Sequence, residues 1–98
     1  MNEYMIIVNF ISGFTEEFVG LIPEQRAQIN RLMEKGIQTS YSLTADRSTL
    51  WLTLLATSTE AVRQTMKTMP LYPFMQFEIA ELMFHNSPVY APMRFSLN

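Results

Sequence analysis

Two segments of this chain, residues 3–11 and 49–56, read as β-strands that are apolar at both alternating sets of positions. In the first, Tyr4, Ile6, Val8 and Phe10 form one set and Met5, Ile7 and Ile11 the other; in the second, Leu50, Leu52 and Leu54 stand against Trp51 and Leu55. Successive side chains of a strand point to opposite faces of its sheet. A strand apolar on both sets is therefore covered on both faces, which places it in the middle of a sheet. Two other stretches alternate. Ile37, Thr39, Tyr41 and Leu43 are set against Gln38, Ser40, Ser42 and Thr44, and Met75, Phe77 and Ile79 against Gln76, Glu78 and Ala80. That is the pattern of strands with one wet face. Beyond Ala80 the apolar residues Leu82 and Phe84 fall on the other parity, predicting a bulge near Ala80 or Glu81 in a last strand from about Phe74 to Phe84.

Helical periodicity fills the gaps between these strands. Thr15 is a plausible N-cap, with Glu16 and Glu17 suited to the positive end of a helix. An apolar stripe follows at Phe14, Phe18, Leu21, Ile22, Ile29, Leu32 and Met33, interrupted by Gly20 and Pro23. Proline removes an interior hydrogen bond, so the expectation is a short helical turn, a break, and a main helix from about Ile22 to Lys35 closed by Gly36. Thr57 and Glu60 match a capping box for a second helix carrying Val62, Met66 and Met69 and ended by Pro70.

The resulting order, strand, helix, strand, strand, helix, strand, is that of an α+β, ferredoxin-like βαββαβ subunit. Right-handed crossovers then place the first and third strands in the middle and both helices on one face. The first and third strands are the two that are apolar on both sets. The uncovered face would expose some five or six large side chains, Trp51 or its neighbours among them, and each forfeits roughly 1.5–3 kcal/mol. The sum is comparable with the stability of a whole small domain. A homodimer packed sheet to sheet, a dimeric α+β barrel, is the expected solution. Residues 1–85 form the expected domain and 86–98 a C-terminal arm, with Val89, Tyr90, Met93, Phe95 and Leu97 spaced by Pro88 and Pro92.

Composition excludes several classes of function. Seven basic residues against nine acidic ones in 98 give a net charge of −2, with no excess of positive charge for a nucleic-acid backbone. Cysteine is absent, so there is no disulfide framework, thiolate zinc site or cysteine nucleophile, and His85 alone builds no metal site. No stretch approaches the ~20 apolar residues of a membrane span. The first basic residue is Arg26, unlike a signal peptide, so the expectation is a soluble cytoplasmic protein.

The run Met-Pro-Leu-Tyr-Pro-Phe-Met-Gln-Phe-Glu-Ile from Met69, followed by Leu82 and His85, resembles the muconolactone isomerase family. Pro70, Leu71, Pro73, Met75, Glu78, Leu82 and His85 fall on matching positions, and the family's main helix also closes at a glycine like Gly36. The resemblance implies a ferredoxin-like subunit in a dimeric α+β barrel assembled into larger oligomers. It also implies an activity that moves a double bond in an unsaturated lactone. That reaction is a proton shift beside a carbonyl, needing a general base, a donor for the developing enolate and a dry pocket. It requires no metal or organic cofactor. Where the family's main helix opens with acidic residues and a lysine, this chain has Pro23-Glu24-Gln25-Arg26. Where its second strand carries arginine, histidine and tryptophan, this chain has Gln38-Thr39-Ser40-Tyr41-Ser42.

The candidate catalytic residues are Glu24 or His85 as base and Arg26 or Tyr41 as holder of oxygen; Gln25, Trp51 and Glu78 are candidate ligand-binding residues. Gln25 stands out because it interrupts an apolar helical stripe, as a polar residue lining a pocket does. All but Trp51 have a plainer alternative: Gln25 as a helix residue whose face is misassigned beside the Pro23 break, Glu24 and Arg26 as solvated helix surface, Tyr41 at a core edge, Glu78 in an ion pair, His85 as a structural hydrogen-bonding residue. Eight methionines provide an adaptable interior suited to a small apolar ligand. Three readings follow: a cofactor-free isomerase, a non-catalytic ligand-binding or assembly protein on the same barrel, and a cofactor-independent oxygenase.

Overall fold

A computed structural model describes residues 1–11 and 15–84. In chain order they form β1 (Asn2–Phe10), α1 (Glu16–Glu34), β2 (Gln38–Leu43), β3 (Thr49–Ala56), α2 (Thr59–Lys67), a 3-10 turn (Tyr72–Phe74) and β4 (Met75–Glu81). The strands make one sheet in the order β2-β3-β1-β4, every pairing antiparallel. This is the ferredoxin-like arrangement, and the two strands apolar on both sets are the central pair. Residues 85–98 lie outside the described residues, so the arm and His85 are not placed.

Residues opposite each other in the ladder share a face. Tyr4, Ile6 and Val8 of β1 and Leu50, Leu52 and Leu54 of β3 are buried with Phe18, Ile29 and Leu32 of α1 and Val62 and Met66 of α2. Both helices thus cover one side. The opposite side carries Met5, Ile7, Trp51 and Leu55 over its centre, and Trp51 is 43% exposed in the single chain.

Helix α1 departs from expectation because it runs through Pro23 without a break. The Thr15 hydroxyl accepts from the Phe18 amide at 3.1 Å and secures the first turn. Phe18, Gln25, Ile29 and Leu32 then keep one continuous face on the sheet across the proline. Pro23 and Val19 are both exposed, so the carbonyl that proline cannot serve is left on the side open to water. At the other end Gly36 takes a φ of +74°. Its amide reaches the Met33 carbonyl at 3.0 Å and the Ile37 amide reaches Leu32 at 2.9 Å, a Schellman closure that suits glycine. Helix α2 is capped by Ser58 rather than Thr57: its hydroxyl accepts from the Ala61 amide at 3.1 Å, and Glu60 instead receives Gln64.

The bulge lies in β2, not in β4. The β1–β4 register is unbroken from Tyr4 opposite Glu81 to Phe10 opposite Met75. The parity change read near Ala80 belongs to chain already leaving the sheet after Glu81, where the Leu82 amide still donates to Glu3 at 2.9 Å. In β2 the register shifts between Gln38 and Ser40, so that Gln38, Tyr41 and Leu43 share the helix side with Leu54, Leu52 and Leu50. The extra residue, Thr39, brings a second hydroxyl to Thr53 beside that of Ser40. Thr39 donates to the Glu3 carboxylate at 2.5 Å, which leaves Thr53 to donate to Thr39 and Ser40 to donate to Thr53. The chain of hydroxyls satisfies Thr53, which has no exposed surface.

Candidate functional site

A cavity of about 440 Å³ opens between α1 and the β2–β3 end of the sheet. Its floor is apolar, made by Phe10, Phe18, Ile22, Leu50 and Leu71. Phe18 sits edge-on between Phe10 and Phe74, with ring centroids 5.3 and 5.4 Å away. The polar part of the lining is Gln25 and Arg26 of α1, Tyr41 of β2, and Arg47 of the β2–β3 turn. Edge strand β2 is only partly covered, which leaves Tyr41 and Leu43 as an open wall.

Gln25 is buried, and its Oε1 accepts from the Leu71 backbone amide at 3.0 Å. This bond ties α1 to the segment that leads into β4, which is the segment carrying the family-like run. Replacing Gln25 by leucine keeps the side chain's bulk but strands a buried amide. It is expected to cost about 2 kcal/mol in urea unfolding, and an unchanged midpoint would show that the bond carries no stability.

Arg47 reaches the cavity from a turn that organises itself. Asp46 Oδ1 accepts from the Thr44 hydroxyl at 2.7 Å, the Ser48 hydroxyl at 2.7 Å and the Ser48 amide at 3.0 Å. The Ser48 side chain, then the Ser48 amide and the Thr44 hydroxyl, hold the Asp46 carboxyl down at about 2. The Arg47 amide donates to the Thr44 carbonyl at 2.9 Å, and Arg47 itself takes a left-handed φ of 65°.

The structure therefore brings three of the seven candidates together at one cavity, Gln25, Arg26 and Tyr41. Glu24 is exposed on α1 beside them and is not part of the lining. Trp51 and Glu78 both lie opposite Ile7, on the sheet face away from the helices, and do not reach the cavity. His85 lies outside the described residues. Among the described lining residues there is no carboxylate and no imidazole. No group of acidic and histidine side chains among the described residues could hold a metal ion. Arg47 was not singled out in the sequence. A left-handed turn position advertises itself by glycine, asparagine or aspartate, and an arginine there gives no such signal.

No protein-family profile matches the chain, and no curated protein sequence matches it. Among solved structures it is similar to the crystal structure of muconolactone isomerase at 3.3 Å resolution, with a TM-score of 0.72 and 18% sequence identity. The match covers 91% of this chain and 96% of that one. The likeness establishes the fold over nearly the whole length of both. No helix among the described residues is long and apolar enough to cross a membrane.

Proposed function

We propose that this chain takes a small, largely apolar, unsaturated carbonyl compound of the lactone type into the α1–sheet cavity and shifts a double bond in it without a cofactor. The observation that supports this best is the cavity itself: an aromatic and aliphatic floor, with Gln25, Arg26 and Tyr41 converging on it from two elements. The reaction removes a proton from the saturated carbon adjoining the carbon–carbon double bond, and the electron pair of that C–H bond passes through the double bond onto the carbonyl oxygen. Tyr41 or Arg26 would hold that oxygen while the proton returns at the other end of the conjugated system. Glu24, next to Gln25 on α1, and His85 are the candidate bases. A second reading, binding without chemistry, is favoured by the lack of a carboxylate or imidazole among the described lining residues.

The test is proton exchange. A butenolide incubated with the protein in D2O should acquire deuterium beside its carbonyl faster than in buffer, as followed by proton NMR, and Tyr41→Phe should slow the exchange. Resonance shifts at Tyr41 and Leu71 without exchange would favour the binding protein. No shifts and no exchange would refute both.

We further propose that a second copy of the chain covers the open sheet face, completing a dimeric α+β barrel. Met5, Ile7, Trp51 and Leu55 on that face support it. Assembly beyond a dimer and a role in breaking down aromatic compounds belong to the same reading, as does residence in the cytoplasm, whose reducing conditions suit a chain without cysteine.

A further inference from the structure

We infer that Gln25 is the specificity residue of the cavity: its side-chain NH2 group donates to a neutral carbonyl oxygen of the ligand, and the Leu71 backbone amide fixes it in that sense. This rests on the cavity being a small-molecule site and names the atom of the ligand that the site reads. It holds whether the chain then shifts a double bond or only binds. Phe18, Ile22 and Gln25 lie along one face of α1 at helical spacing, and all three line the cavity. Gln25 is only 6% exposed, so its polar end meets little bulk water.

A primary amide has two ends of opposite character, an oxygen that accepts and a nitrogen that donates. Leu71 settles which end goes where. Its backbone N–H donates to Gln25 Oε1 at 3.0 Å, and an NH2 group in that place would set donor against donor, so the amide cannot turn over. The Leu71 amide is itself held firmly. Leu71 is buried, and the Tyr72 amide to the Met69 carbonyl and the Phe74 amide to the Leu71 carbonyl, both 2.9 Å, secure the turn around it. Gln25 Nε2 has no partner among the described residues, and unlike Gln38 Oε1 it is not sealed from the surface. Serving the Leu71 amide needs only an oxygen, which a glutamate would supply as well. The glutamine adds an uncharged donor beside the apolar floor of Phe18, Ile22 and Leu50. A donor with so little water around it gains from a ligand acceptor and rejects a ligand without one. Because its orientation is set before the ligand arrives, the ordering cost of binding is reduced. The fitting ligand is a lactone, ketone or ester with its carbonyl oxygen on an apolar body.

Phthalide, a small aromatic lactone, and phthalan, the same bicycle without the carbonyl oxygen, separate the possibilities when titrated into the 15N-labelled chain and followed by NMR at pH 8. The wild type is expected to bind phthalide about fivefold more tightly than phthalan, although phthalan is the more apolar of the two. The Gln25 side-chain NH2 protons should move downfield with phthalide and stay nearly in place with phthalan. Gln25→Glu keeps an oxygen for the Leu71 amide but turns the donor into an acceptor, so the preference should vanish or reverse. A purely structural Gln25 would leave the preference as it was, since the glutamate meets that role. The wild-type NH2 resonances decide the matter even where the variant fails to fold. Equal binding of the two probes by the wild type, unmoved Gln25 NH2 protons in the phthalide complex, or a preference that survives Gln25→Glu overturns the inference while leaving the cavity reading intact. Failure of both probes to bind overturns the cavity reading and this inference with it.

Discussion

Leu52→Ala is expected to cost about 3–4 kcal/mol, enough to remove most of the stability of a domain of this size. Leu52 has no exposed surface, and it lies in β3 with Ile6 of β1 on one side and Tyr41 of β2 on the other. Truncation forfeits the transfer energy of the buried side-chain carbons. It also leaves a void that the central strands cannot close, because their register is held by pairing on both edges. Leu43→Ala removes the same atoms at the open end of β2, where the side chain is 49% exposed, and is expected to cost under about 1 kcal/mol. Urea unfolding of both variants checks the contrast. A Leu52→Ala chain within about 1 kcal/mol of wild type would mean that the sheet centre is not a tightly packed core.

Ile7→Asp is expected to raise the dissociation constant of the proposed sheet-to-sheet dimer by about 100-fold or more. Ile7 is central on the open face, opposite Trp51 on β3 and Glu78 on β4. An aspartate there puts a charge from each copy into the contact and sets it beside the carboxylate of Glu78. Desolvating an unpaired charge costs several kcal/mol, and like charges across a two-fold axis add to that cost. In the single chain Ile7 is only half-buried, so the fold itself should survive, as far-ultraviolet circular dichroism would show. Trp51→Ser removes apolar area from the same face without adding charge and should weaken association in the same direction. Sedimentation equilibrium reads both variants. A wild-type chain that stays monomeric at micromolar concentration, or an Ile7→Asp chain that associates as wild type does, would remove the second copy from the proposal.

How far the site could be read in advance depended on the kind of signal each residue carries. Gln25 was visible because it breaks an apolar stripe, and the structure places it in the cavity wall with its oxygen on Leu71. Tyr41 kept its face despite the bulge, since it lies beyond the inserted residue and still opposes Leu52. Trp51 and Glu78 carried chemistry in their side chains but no statement of which sheet face they share. The ladder puts both opposite Ile7, away from the helices. Arg47 is brought to the cavity by a turn geometry that its residue type conceals.

Local pattern alone determined which strands lie at the centre. Alternation with a period of two reports burial directly, and β1 and β3 are apolar on both sets. It likewise determined the glycine closure of α1, because a left-handed backbone at that point selects for glycine. Only the tertiary structure decided the register of β2. Thr39, Ser40 and Ser42 are small and polar on either parity, so a shift of one residue has little local penalty, and the hydroxyl bonds to Thr53 settle it. The tertiary structure also decided the fate of Pro23. Proline's penalty is local, but the face that α1 buries on both sides of it is shared with the whole sheet, and that burial outweighs one missing hydrogen bond.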